Sequence, residues 1–97
     1  MQKTGIKPEV IEEICRIAKK YAVRKVVLFG SRARGDYRRA SDIDLAVQGG
    51  NVDRFAVDVR EETSTLLEYD VIDLDEKLQE KLRKSICEEG ITIYEEI

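Results

Sequence analysis

Histidine is absent from these 97 residues, and cysteine occurs only at Cys15 and Cys87. Zinc sites need close-set groups of histidine and cysteine, so no zinc pattern can form from these. Both cysteines fall in helix-like stretches, where small apolar packing accounts for them. No uninterrupted apolar run is long enough to span a bilayer, and no signal-peptide pattern opens the chain. The expectation is a soluble, cytoplasmic protein. Labile amides are scarce, with one asparagine and three glutamines, while charged residues reach 38%. That balance suits a thermophile. The mildly negative net charge of -3 argues against direct nucleic-acid binding as the main task. Repeats, linkers and low-complexity segments are missing as well. The length makes one domain, residues 1–97, with one modest core.

Against that background one stretch is dense in chemistry: Gly30 to Val47, GSRARGDYRRASDIDLAV. It follows the apolar run Lys25–Phe29 and closes on Asp42-Ile43-Asp44 inside a second apolar run. On a strand, residues two apart share a face and lie roughly 6–7 Å apart. Asp42 and Asp44 therefore present two carboxylates together, while Ile43, Leu45 and Val47 point the other way. Paired carboxylates repel, and one is pushed toward protonation unless a cation sits between them. Mg²⁺ suits such a pair, because it prefers oxygen ligands and keeps room for substrate phosphates. Gly30 permits a tight turn and a close approach to a ligand. Ser31 adds a hydroxyl, and the N–H groups of the turn can converge on an anion. Arg32, Arg34, Arg38 and Arg39 face one acid, Asp36, so the loop is locally positive. Arginine forks in that setting suit a triphosphate.

Taken in order, Met1 to Lys7 reads as a loose terminus. Pro8 suits the first turn of a helix, and apolar spacing carries that helix over Pro8 to Tyr21. Lys25 to Phe29 is apolar on both faces, as a central covered strand is. Gly30 to Ser41 is a loop with one helical turn after Ser31. A second strand runs over Asp42–Val47, a helix over Val52–Leu67 and a third strand over Tyr69–Leu74. A last helix starts near Asp75, carries the stripe Leu78, Leu82, Ile86, and ends at Gly90. Ile91 to Tyr94 is a short extended tail. The short connection predicts that strands one and two are antiparallel. The helical crossover makes strands two and three parallel. The fold class is α/β (α+β), a small mixed sheet with helices packed against it.

Gly30-Ser31, ten residues and then Asp42-x-Asp44 resembles the signature of the DNA polymerase beta-like nucleotidyltransferase superfamily. The fuller string, with GSRARG and SDIDL, resembles the minimal nucleotidyltransferases, or MNT domains, over nearly the whole chain. These commonly act as antitoxins beside a HEPN-family toxin. The resemblance implies a third acid on the next strand. Asp70 and Asp73, three apart, face opposite sides of that strand, so only one can join the pair. The similar MNT pattern puts the catalytic acid first, which selects Asp70 and leaves Asp73 to cap the next helix or face solvent.

The resemblance further implies two Mg²⁺ ions held by Asp42, Asp44 and Asp70, and nucleotidyl transfer in line at the α-phosphorus. Asp70 is the implied proton acceptor. Gly30, Ser31 and Arg34 would cradle the outer phosphates. The implied donor is ATP. The implied acceptor is a tyrosine of a HEPN-type toxin partner, with Tyr94 as a self-acceptor in reserve. The alternative is a catalytically idle antitoxin that neutralises its partner by contact.

Overall fold

A computed structural model describes residues 4–96. The elements are α1 (Pro8–Lys20), β1 (Lys25–Phe29), α2 (Ser31–Arg34), β2 (Ile43–Gln48), α3 (Val52–Glu62), β3 (Tyr69–Asp73), α4 (Glu80–Glu89) and β4 (Ile91–Glu95). The strands form one mixed sheet in the order β3-β2-β1-β4. β1 and β2 pair antiparallel, and β2 and β3 pair parallel, as the connection lengths require. The C-terminal tail is a true edge strand, antiparallel to β1.

The alternation of β2 explains the layering. Ile43, Leu45 and Val47 join Val26, Leu28 and Tyr69 on one face, under Val10, Ile14 and Ile17 of α1 and Phe55 and Val59 of α3. Ala46 joins Val27 and Phe29 on the opposite face, where Leu78, Leu82 and Ile86 cover it. β1 is thus buried on both faces, as its uniformly apolar sequence predicts. Each fully buried aliphatic side chain contributes about 1.5–3 kcal/mol. The second layer is smaller, and it reaches the sheet end where Phe29, buried within it, pairs with Asp44.

Several boundaries differ from the sequence reading. α3 stops at Glu62 rather than Leu67, because Thr63 turns extended. Its hydroxyl bonds back to the Val59 carbonyl at 2.6 Å, and Ser64 is held by the Glu13 carboxylate. The last helix starts at Glu80, not near Asp75. Asp73 instead closes a turn, its Oδ1 accepting the Asp75 N–H at 2.8 Å. Leu78 still packs beside Leu82 and Ile86 although it precedes the helix. Gly90 is extended, with φ −67° and ψ 146°, so it ends α4 without the left-handed turn. It is a glycine because a side chain there would strike the Ile86 carbonyl and Val27. Residues 1–3 of the expected loose terminus lie outside the described residues. Thr4 is not loose, since its carbonyl accepts from Arg32 at 2.9 Å. Cys15 is half-buried, its thiol bonded to the Ile93 carbonyl at 3.3 Å, whereas Cys87 is exposed rather than packed.

Candidate active site

Asp44 and Asp70 are direct register partners across the parallel β2–β3 pair. Partners in a parallel ladder point to the same face, so the two carboxylates stand side by side. β2 begins at Ile43, so Asp42 sits one position ahead of the strand rather than on it. Its charge still reaches Asp44. Burial, then the Asp70 charge, then the Asp42 charge push the Asp44 carboxyl up to about 6, against weaker opposition from Arg34 and Arg32. Asp73 pairs in register with Val47 and bonds into its own turn. The alternation between Asp70 and Asp73 is the one expected.

Gly30 ends β1 with φ +76°, a left-handed conformation, and a side chain there would run into the Asp44 carboxylate. The glycine therefore lets the turn lie directly against the acid. Ser31 follows as the first residue of α2 and sits half-buried at the same end of the sheet. The turn closes with Gly35, whose N–H bonds to the Ser31 carbonyl at 2.8 Å.

The arginines divide by role, which the sequence did not separate. Arg32 is 2% exposed and bonds only to backbone carbonyls: Ser41 at 3.0 Å, Thr4 at 2.9 Å and Arg39 at 3.3 Å. Its guanidinium also lies 4.8 Å from the Tyr37 ring centre. It is a staple that folds the loop back toward Asp42, with each of its three nitrogens donating to a backbone carbonyl. Arg34 is exposed and held by two acids, Asp36 at 3.3 Å and Glu89 of α4 at 3.2 Å. Arg38 and Arg39 face solvent. Tyr37 and Glu89 carried no motif signal. The one hint of Glu89 is two glutamates in the last turn of a helix, where the dipole disfavours them.

Among the described residues, Asp42, Asp44 and Asp70 make no side-chain hydrogen bond and no ion pair; the ion pairs present all lie elsewhere. Neither do three acids converge closely enough there to enclose an ion by themselves. Mg²⁺ fits this donor set. It takes hard oxygen ligands, uses one or two carboxylates, and completes its shell with water and substrate phosphates. A cleft of about 690 Å³ opens elsewhere, between Ile6, Val10, Arg39 and Leu67, and none of the three acids lines it. The acids face open surface instead. Tyr94, the reserve self-acceptor, lies on β4, paired with Val26 at the far end of β1 from the acids.

The family model described as "Polymerase beta, Nucleotidyltransferase" matches residues 12–96. A relative from Methanocaldococcus jannaschii, described as a "putative protein adenylyltransferase", is 32% identical over 81 residues, covering 74% of this chain and 79% of the relative. A solved toxin–antitoxin structure with AMP-PNP superposes with a TM-score of 0.72 at 20% identity, over 89% of this chain and 73% of that one. A mutant of the toxin–antitoxin pair MntA–HpeT gives 0.71 at 18% identity, with the same coverage of both chains. At those identities the likeness is one of fold. The spacing of Gly30-Ser31 and the two aspartates, the sheet that carries them and the match over residues 12–96 agree: this chain belongs to the polymerase beta nucleotidyltransferase family, and it is a nucleotidyltransferase.

Proposed function

We propose that this chain is an Mg²⁺-dependent adenylyltransferase that moves AMP from ATP to a tyrosine hydroxyl of a HEPN-type toxin partner, and so acts as its antitoxin in the cytoplasm. The observation that carries the reading is the trio Asp42, Asp44 and Asp70, with Asp44 and Asp70 on adjacent strands, Asp42 just ahead of β2, and none of them in an ion pair among the described residues. A half-buried, unpaired acid costs stability, so its retention beside two others is best explained by chemistry. The relative described as a protein adenylyltransferase, and the toxin–antitoxin neighbours of like fold, support the choice of donor and partner.

In this reading Asp42, Asp44 and Asp70 hold the metal. When bound, Mg²⁺ supplies positive charge to the phosphates and lowers the pKa of the acceptor hydroxyl. Gly30 and Ser31 bring backbone N–H groups and a hydroxyl to the outer phosphates, and Arg34 adds a guanidinium. Asp70, exposed like Asp42, takes the tyrosine proton. The phenolate oxygen forms a bond to the α-phosphorus, the bond to the bridging oxygen breaks, and pyrophosphate leaves. The acids lie on open surface, so the partner must supply the wall that orients the acceptor and excludes water.

Co-expression with a helical partner of this type, followed by intact-mass measurement, tests the reading. The partner should gain one or more AMP groups with wild-type chain and none with the Asp42→Asn, Asp44→Asn double variant. A partner that is inhibited yet unmodified would overturn transfer in favour of neutralisation by contact.

A further inference from the structure

Arg34 pairs with none of the three carboxylates Asp42, Asp44 and Asp70. Its charge reaches Asp44, yet Nε donates to Asp36 at 3.3 Å and Nη1 donates to Glu89 at 3.2 Å. Glu89 comes from the far end of the chain, at the last position of α4, and Ser85 donates to its other oxygen at 3.5 Å. Two acids outside the trio hold Arg34. Without them, the guanidinium would be free to pair with Asp44, which its charge already reaches, and a bidentate arginine there would neutralise the carboxylate.

Glu89 is poorly placed for its own helix. It ends α4 next to Glu88, with no basic residue in the last turn. Negative charge there opposes the helix dipole. A position that breaks a local rule without helping the helix is where a functional demand is expected.

We propose that Glu89, together with Asp36, tethers the Arg34 guanidinium away from Asp42, Asp44 and Asp70, keeping those carboxylates free for a divalent cation. This rests on the metal-site reading above. Glu89 is a positioning residue, acting through Arg34. Nη2 makes no hydrogen bond among the described residues, so the tethered guanidinium keeps a donor for incoming phosphate.

The test is Mn²⁺ binding to the full chain without nucleotide, followed by the loss of the free-ion electron paramagnetic resonance signal. Asp36→Asn with Glu89→Gln should weaken Mn²⁺ by about two- to fivefold, the range that exposed ion pairs can hold back. Glu89→Gln alone should give the smaller share. A direct field effect of the Glu89 charge on the ion would predict the same loss, so Arg34→Ala separates the two. In the Arg34→Ala background, removing Glu89 should change Mn²⁺ affinity by less than the single variant does. The tether is overturned if the Asp36→Asn, Glu89→Gln pair binds Mn²⁺ like wild type, or if the loss persists undiminished without Arg34. Wild-type chain that binds no Mn²⁺ would instead overturn the metal site itself, and the tether with it.

Discussion

Asp44 is where burial and charge conflict most. Its carboxyl is raised from 3.8 to about 6 by burial and by Asp70 and Asp42, so the folded state binds its proton more tightly than the unfolded state. Between these values the folded state holds the extra proton. Stability without metal therefore falls as pH rises from about 4 to about 6, by on the order of 2 kcal/mol, and stays level above. Thermal denaturation in EDTA at pH 4.5 and 7.5 should show that loss in the wild type. Asp44→Asn should remove it, while abolishing transfer. Arg32 obeys the opposite logic. Three backbone carbonyls and the Tyr37 ring depend on it, so Arg32→Ala should cost about 3 kcal/mol or more in urea denaturation. Arg32→Lys should recover little, because an ammonium lacks the fork that reaches three carbonyls at once.

At the level of elements, the site depends on the register of β3 against β2. Asp70 stands opposite Asp44, and Asp73 stands opposite Val47. Asp70→Asn should lower turnover by at least about a hundredfold, the usual weight of a positioned proton acceptor. Asp73→Asn should leave turnover near wild type and weaken only the turn that bonds Asp75. Steady-state rates of the two variants check this ranking. Much of this architecture was legible beforehand. Strand alternation and connection length are local properties, and they set β1 antiparallel to β2 and β2 parallel to β3. Helix ends were less legible. Thr63 and Asp73 stop or delay helices through side-chain bonds to backbone, a competition that apolar spacing does not register.

For the whole molecule, binding energy and folding energy are linked. Mg²⁺ with ATP at about a hundredfold excess over Kd should stabilise the chain by roughly 2.7 kcal/mol. For a domain of this size that is a rise of roughly 10 °C or more in Tm. Differential scanning fluorimetry with Asp42→Asn, Asp44→Asn as the control reads it directly: the control should not shift. Among the described residues no helix is long and apolar enough to cross a membrane.

The spacing of Gly30-Ser31 and Asp42-x-Asp44 was enough to mark a family, because a strand, a tight turn and a second strand place those groups by short-range geometry alone. The pairing of Asp44 with Asp70 was an inference from likeness until the register of β3 decided it. The fates of the four arginines could not be read in advance. A guanidinium has five donors and a long stem, so its partner is chosen by whatever the fold brings within reach. For Arg32 that was the carbonyls of Thr4, Arg39 and Ser41; for Arg34 it was Glu89, 55 positions away. Local sequence dictates which groups are present and how they alternate. Only the packing of α4 and the N-terminal segment around the loop settles which charge meets which.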